Sequence, residues 1–211
     1  MSHPQINTSK EPIRLFKSDF LEFFTHISPV TVVIIWLPVA VIFLLLAIRD
    51  RGSFLSPGLI ALGVIGGLFL WTFAEYMLHR FLFHFKPRNA WQERVSFLFH
   101  GVHHAQPMIK TRLVMPPVVS IPLAVLFYGL FWLILAAGLS SPHWVAPLFS
   151  GFIFGYLLYD LSHYSYHHFP IQWRTFRFLK RYHMFHHTKT PYARFGVSSP
   201  LWDVVFRTYV R

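Results

Sequence analysis

Cysteine is absent from this 211-residue sequence, and acidic residues are scarce. Without cysteine the chain forms no disulfide and offers no thiolate to zinc or to an iron–sulfur cluster. Asp and Glu total eight against 19 Lys and Arg, and the basic residues are dispersed rather than clustered in one nucleic-acid-binding module. Because 54% of the residues are hydrophobic and only 13% are charged, the composition is typical of a membrane protein.

Four apolar runs are long enough to cross a bilayer as helices, which takes about 20 residues each. They cover residues 27–48, 57–78, 118–139 and 145–162. No polar linker between them is long enough to separate two domains. The sequence therefore predicts a single membrane domain over residues 1–211.

The distribution of Lys and Arg predicts the orientation of these spans. Seventeen of the 19 basic residues fall in segments 1–26, 79–116 and 163–211, and only Arg49 and Arg51 fall on the other side. Positive charge favours the cytoplasmic side, so we expect both termini to be cytoplasmic. The first 25 residues show no cleavable signal peptide. A multi-pass protein of this kind belongs in a bacterial inner membrane or in the endoplasmic reticulum.

Histidine is concentrated where the apolar runs end. Eleven of the 14 histidines fall in four clusters, and the pattern H-x-x-H-H occurs twice. A lone histidine is more often a core residue than a ligand, but four spaced clusters on one predicted side indicate a metal site. The ten candidate ligands are His79, His84, His100, His103, His104, His163, His167, His183, His186 and His187.

Helical geometry suggests how these imidazoles are shared. In H-x-x-H-H the first and last histidines are nearly in line along a helix, and the middle one lies to the other side of that line. One helix can therefore present ligands to two metals. His79 and His84 are five residues apart, so we expect the helix to end or loosen between them. Ten imidazoles would saturate two metals at about five each.

The excess of histidine favours a redox pair of metals over a hydrolytic one. A catalytic zinc site usually has three protein ligands and one open position, which ten histidines greatly exceed. Neutral imidazole suits iron, zinc, copper and nickel. We expect two iron ions in the active protein, which zinc could replace in a purified sample. The dimetal centre would act without a separate side-chain acid or base.

Few other polar side chains are available to support the ligands. We expect Glu75, Asp160 and Asp203 to accept the second ring N–H of ligand histidines, with His168 in a similar supporting position. Glu75 and Asp160 could instead be helix-end charges near the interface. The predicted fold class is an all-α integral membrane protein, with four transmembrane helices and a cytoplasmic helical cap that holds a histidine-rich dimetal site.

Several runs together resemble the fatty acid 2-hydroxylase family, within the sterol desaturase/fatty acid hydroxylase superfamily. The resemblance covers about residues 12–208. It is carried by the runs Glu75-Tyr-Met-Leu-His79-Arg-Phe-Leu-Phe-His84, His100-Gly-Val-His103-His104, Arg112-Leu-Val-Met-Pro116-Pro117, Tyr159-Asp160-Leu-Ser-His163-Tyr-Ser-Tyr-His167-His168 and Phe195-Gly-Val-Ser-Ser-Pro-Leu-Trp202-Asp203-Val-Val-Phe.

The resemblance implies a membrane monooxygenase that inserts one oxygen atom of O2 at carbon 2 of a long acyl chain, free or within a ceramide or sphingolipid. The ten histidines would be its metal ligands. Some members carry a fused haem domain of the cytochrome b5 type, for which this chain has no room. Electrons would come from an external carrier such as cytochrome b5 or ferredoxin with its reductase. Ile109 departs from the family pattern, which has Asp shortly after the second cluster.

Aromatic residues near the clusters could line the path of the acyl chain. The candidates are Tyr164, Tyr166, Phe195 and Trp202, although aromatic residues also form belts at membrane interfaces. Two other functions fit the histidine spacing. One is a sterol or carotenoid hydroxylase or desaturase of the same superfamily, and the other is a non-enzymatic membrane protein that binds or transports metal.

Overall fold

The computed structural model describes residue 9 and residues 11–49 and 55–210, and its regular elements are helices, which confirms the all-α prediction. The α-helices are α1 (Asp19–Phe23), α2 (Pro29–Arg49), α3 (Pro57–Met77), α4 (Ala90–Ser96), α5 (Val102–Ala105), α6 (Pro117–Phe131), α7 (Val145–His168), α8 (Arg174–Thr188) and α9 (Leu201–Val205). Within the same ranges, π-helical segments extend them at Leu78–Phe83, Phe97–Gly101 and Trp132–Gly138.

Four stretches in the described part of the chain are helical enough, long enough and apolar enough to cross a membrane. They run over Pro29–Arg49, Pro57–Phe83, Lys110–Gly138 and Pro142–His168. An 18-residue segment of the last stretch has a mean hydropathy of only 1.3, the lowest of the four, and 67% of that segment is buried inside the protein. This stretch continues as α7 to His168, beyond the predicted end at 162. Residues that face protein rather than lipid tolerate polar side chains, so this helix can carry polar residues near its end.

The chain separates into two compact units. One unit, here called the transmembrane unit, contains residues 29–73 and 115–158, and the other, the histidine unit, contains residues 1–28, 74–114 and 159–211. The prediction of a single domain over 1–211 stays a prediction.

Small residues let helices α3 and α7 approach closely within the transmembrane unit. A Cβ atom added at Gly67 would collide with the carbonyl oxygen of Leu148, and one added at Gly151 would collide with that of Val64. One polar contact inside this unit joins Trp36 and Ser120: Trp36 Nε1 donates to Ser120 Oγ at 3.2 Å. Backbone-to-backbone packing of this kind is typical of membrane helices, where van der Waals contact is the main attraction between helices.

In the histidine unit, the N-terminal segment 11–27 is fastened to loop 106–112, which directly follows the histidines of α5. The buried side chain of Gln106 accepts a hydrogen bond from the Ile13 amide at 2.8 Å and donates one to the Glu11 carbonyl at 2.9 Å. The Ile27 amide donates to the Thr111 carbonyl at 2.7 Å. The loop after the first H-x-x-H-H motif is thus hydrogen-bonded to the N-terminal segment 11–27, which lies about 80 residues earlier in the chain.

An ion pair completes this attachment. The guanidinium of Arg112, which is buried, donates to the carboxylate of Glu22 and to the carbonyl of Ile13. Burial opposes ionisation of Glu22, but hydrogen bonds from the Phe16 and Leu15 amides and the charge of Arg112 together hold the pKa of this carboxyl below its usual value.

We expect Glu22→Gln to lower the free energy of unfolding by about 1–3 kcal/mol, the range for a buried polar group that loses its partner. The amide cannot balance the charge of buried Arg112. Thermal unfolding of the purified protein would measure the loss. Asp19→Asn is the matched control, because the Arg14–Asp19 pair is exposed and should contribute little. Equal melting temperatures for both variants would contradict this role of Glu22.

Candidate metal centre

The ten predicted histidines form two groups of five in the histidine unit. Within each group the ligand nitrogens all lie within 4.8 Å of one another. Cluster 1 contains His79, His84, His100, His104 and His186. Cluster 2 contains His103, His163, His167, His183 and His187.

Each H-x-x-H-H motif divides its histidines between the two clusters as helical geometry predicts. His100 and His104 belong to cluster 1, while His103 between them belongs to cluster 2. The second motif does the reverse, because its outer pair belongs to cluster 2 and His186 belongs to cluster 1. The middle histidine of each motif therefore belongs to the cluster that contains the outer histidines of the other motif. This arrangement keeps the two clusters next to each other.

A π-helical turn allows His79 and His84 to belong to the same cluster although they are five residues apart. The helix widens over Leu78–Phe83, and the His84 amide donates to the His79 carbonyl at 3.0 Å, five residues back. The predicted loosening of the helix is confirmed. A second π-helical turn, Phe97–Gly101, carries His100. Single π-helical turns inside α-helices occur frequently at functional sites.

The Nε2 atoms of all ten imidazoles converge at distances that fit metal coordination. Contacts within cluster 1 are 3.0–3.2 Å, and those within cluster 2 are 2.9–3.0 Å. Metal–imidazole bonds of about 2.0–2.1 Å, at angles from right to tetrahedral, separate neighbouring nitrogens by about 2.8–3.4 Å. The donor set therefore fits one metal ion in each cluster.

The histidines outside the membrane-crossing stretches are held neutral, as metal ligation requires. Burial lowers the pKa of His100, His103, His104 and His183, and the positive charge of neighbouring imidazoles lowers it further. Burial lowers the pKa of His186 to about 4. A neutral imidazole has one ring proton, so an imidazole whose Nδ1 carries that proton presents a lone pair at Nε2. A cation between such Nε2 atoms removes the repulsion between their lone pairs.

Two backbone carbonyls fix which nitrogen points into cluster 1. His79 Nδ1 lies 2.5 Å from the carbonyl oxygen of Phe195, and His186 Nδ1 lies 2.7 Å from that of Ala193. The Nδ1–H groups donate to these oxygens, which leaves each Nε2 free of its proton for a metal. The sequence gives no signal for backbone acceptors, so they were missed.

The carboxylates predicted to support the ligands hold the loop that carries these carbonyls. Glu75 accepts hydrogen bonds from the Val197 amide at 2.6 Å and the Ser198 amide at 2.8 Å. Asp203 accepts from the Phe195 amide at 2.9 Å and the Gly196 amide at 2.7 Å. Both acids are buried. They therefore act on His79 indirectly, through the loop, rather than by the direct contact that was predicted.

Asp160 and His168 differ from these two. Asp160 is 1% exposed, but the Nδ1 atom of His163, three residues later, has no hydrogen-bond partner among the described residues. His168 belongs to neither cluster and packs its ring 4.6 Å from that of Tyr164. Supporting roles for both residues stay predictions.

The four predicted lining residues occupy different places. Phe195 is buried with its ring 5.6–5.8 Å from those of His79, His84 and His186. Tyr166 is buried 5.9 Å from His183. Tyr164 packs on His168, and Trp202 packs on Phe206 at 6.2 Å. The structure brings Phe195 and Tyr166 to the clusters.

Asp203→Asn should weaken metal binding to cluster 1 by about 10–100-fold, the usual cost of removing an outer partner of a metal ligand. The amide nitrogen cannot accept from the Phe195 or Gly196 amide, so the loop that orients His79 loosens. Competition with a metal chelator would measure the effect. Asp19→Asn provides the control for a lost carboxylate at an exposed site. An unchanged affinity in Asp203→Asn would show that the loop does not orient the ligand.

These features define a class: an integral membrane protein with a buried, histidine-only site that could hold metal ions. A profile of the family described as Fatty acid hydroxylase matches residues 64–208. This chain belongs to the fatty acid hydroxylase family, in its 2-hydroxylase branch, and is an oxidoreductase.

Named relatives cover most of the chain. It is 41% identical to a dihydroceramide fatty acyl 2-hydroxylase of Arabidopsis thaliana, over 98% of this chain and 83% of the relative. It is 40% identical to a ceramide very long chain fatty acid hydroxylase of Saccharomyces cerevisiae, over 91% of this chain and 48% of that longer protein. A solved structure of full-length scs7p, with only the hydroxylase domain visible, matches with a TM-score of 0.83 and 38% identity over 92% of this chain and 70% of that one.

Proposed function

We propose that this protein is a membrane-bound dimetal monooxygenase that hydroxylates carbon 2 of long acyl chains, as free fatty acids or within a ceramide. The observation that carries the proposal is the convergence of ten Nε2 atoms into two five-nitrogen clusters. The names of the relatives from Arabidopsis and yeast supply the reaction and the acyl substrate.

Iron in both clusters fits the reaction best. Zinc has no redox chemistry, whereas imidazole ligands also suit iron. When bound, a pair of iron ions supplies the redox chemistry that activates O2. In the overall reaction, the C–H bond at carbon 2 is replaced by C–OH. The second oxygen atom leaves as water with two protons and two electrons, which an external carrier such as cytochrome b5 or ferredoxin with its reductase provides.

The residues of the chain hold and shield this site. Burial keeps the imidazoles outside the membrane-crossing stretches neutral. The carbonyls of Ala193 and Phe195 orient two imidazoles, and the ring of Phe195 packs beside cluster 1. Exclusion of water protects reactive species from side reactions. No side-chain acid or base is required in this proposal.

Mass spectrometry of intact lipids from an expressing strain would test the function. We expect acyl chains that gain one oxygen at carbon 2, and none in a strain that expresses His104→Ala. New double bonds without hydroxyl groups would support a desaturase instead. Modified sterols or carotenoids would support the other branch of the superfamily. Unchanged lipids with altered cellular metal content would support a metal transporter.

We also propose that both termini and the histidine clusters face the cytoplasm, because 17 of the 19 basic residues lie in the segments on that side. Reporter domains fused at Arg211 and at Gly52 are expected to report opposite sides of the membrane. The same side for both fusions would rule out the four-span topology.

A further inference from the structure

The proposed reaction places a strict demand on the space beside the metal clusters. Carbon 2 is one bond from the carbonyl carbon, so the polar end of the acyl substrate must lie directly beside the reacting position. That polar end is a carboxylate in a free fatty acid and a neutral amide in a ceramide. The chemical character of the space next to the histidines should therefore discriminate between substrates.

A cavity of about 760 Å³ in the histidine unit meets this demand. His84, His100 and His104 of cluster 1 form part of its wall. Phenylalanine, proline and alanine side chains supply most of the rest. The volume lies within the range of about 300–1,000 Å³ typical of small-molecule sites. An apolar cavity with metal-binding imidazoles in its wall suits the reacting end of a lipid.

The cavity also carries uncompensated positive charge. Lys86 and Lys189 both contribute to its lining, and none of its lining residues, all of which lie in the described part of the chain, is acidic. Neither lysine forms an ion pair with another described residue. Glu93 on neighbouring α4 is exposed and does not line the cavity.

Aromatic rings hold both ammonium groups in place. Lys86 Nζ lies 5.6 Å from the ring centre of Tyr192, and Lys189 Nζ lies 4.7 Å from that of Phe185. Cation–π contacts restrain a lysine without neutralising it. Neither ammonium group is paired with a carboxylate of another described residue, so both are available to a ligand, and metal ions in cluster 1 would add to the positive potential.

We propose that this cavity binds the polar end of the acyl substrate, and that Lys86 and Lys189 select acyl chains whose polar end is negatively charged over neutral ceramides. The inference rests on the proposed function and adds a substrate class to it. The carboxylate of a free fatty acid, whose carbon is bonded to carbon 2, would provide the charge.

Equilibrium binding to the purified, metal-loaded full chain without reductant tests the proposal independently of turnover. The probes are radiolabelled palmitate, palmitoyl coenzyme A and neutral N-palmitoylsphingosine. In the double variant Lys86→Gln/Lys189→Gln we expect palmitate affinity to fall by at least about fivefold, as for two partly exposed charge contacts. Affinity for N-palmitoylsphingosine should not change. Lys86→Arg/Lys189→Arg should restore palmitate binding.

Lys17→Gln is the matched control, since it removes one positive charge from an exposed lysine that does not line the cavity. Palmitoyl coenzyme A has a neutral thioester next to carbon 2, so its affinity should fall less than that of palmitate. An equal loss for palmitate and palmitoyl coenzyme A would overturn the proposal, because the lysines would then attract anions without regard to the group beside carbon 2. Equal losses for palmitate and the neutral ceramide would overturn the proposal, because the lysines would then only shape the cavity. Unchanged palmitate binding would overturn it too.

A separate measurement tests the proposed function independently of the charge selection by the two lysines. If the wild-type protein, supplied with reductant, forms no 2-hydroxy product from any of the three lipids, the reaction is wrong. Charge-dependent binding of palmitate would still stand in that case. The binding assay and the product assay therefore report on the two proposals independently.

Discussion

The double variant His104→Ala/His186→Ala is expected to lose about one of two metal ions per chain and nearly all hydroxylation. Both residues belong to cluster 1 although they come from different motifs. Their removal leaves that cluster with three imidazoles and cluster 2 with five. Activity should fall by more than the roughly 10–100-fold seen when only an outer partner of a ligand is removed. Elemental analysis beside 2-hydroxy product in the same membranes measures both effects.

The control is a pair of neighbours in sequence that belong to different clusters. His103→Ala/His104→Ala removes one ligand from each cluster. Chelator titration should therefore show two equally weakened sites, whereas His104→Ala/His186→Ala should show one lost site and one of normal affinity. His143→Ala lies outside both clusters and should retain both metals. Identical titrations for the two double variants would refute the exchange of middle histidines between motifs.

Insertion of one alanine after Leu82 should have a comparably large effect, because it adds a residue to the π-helical turn that places His84. The separation of His79 and His84 would grow from five residues to six. One residue added to a helix rotates the remainder of that helix by about 100°, so the imidazole of His84 would leave cluster 1. We expect loss of the cluster 1 metal and of hydroxylation, with the cluster 2 metal retained.

Insertion of one alanine after Ala136 is the matched control. It lengthens the π-helical segment Trp132–Gly138, which carries no histidine and lies in the transmembrane unit. Both metals should be retained in that variant. If the insertion after Leu82 keeps two metals and full activity, the π-helical turn has no role in placing His84. If it loses both metals, the variant has lost the fold of the histidine unit rather than one cluster.

Helical periodicity explains why so much of the site could be predicted. An H-x-x-H-H motif on a helix fixes which imidazoles share a face, so the separation of His103 from His100 and His104 follows from spacing alone. The five-residue interval between His79 and His84 indicated a disturbed helix, and the structure shows the π-helical turn. Local geometry of this kind depends only on residues a few positions apart.

Long-range contacts could not be predicted in the same way. Spacing says which histidines of a motif stay together, but it does not say that His186 joins His100 and His104. The roles of Glu75 and Asp203 were assigned to the imidazoles themselves, whereas these carboxylates hold the loop at Phe195. Backbone carbonyls have no sequence signature, so the carbonyl acceptors of His79 and His186 could not be predicted from the sequence.

The sequence by itself determined that this is a membrane protein with four spans and ten histidines suited to metal, because hydropathy, charge bias and ligand spacing are local properties of the chain. Its motifs in addition carried the resemblance to the fatty acid 2-hydroxylase family. The tertiary structure alone decided the partition into two five-nitrogen clusters, the fastening of loop 106–112 by the N-terminal segment, and the positively charged cavity beside cluster 1. Each of these joins residues that are 80 or more positions apart, such as Ile13 and Gln106 or Lys86 and Tyr192. Contacts at that separation depend on how the helices pack, which local preferences do not specify.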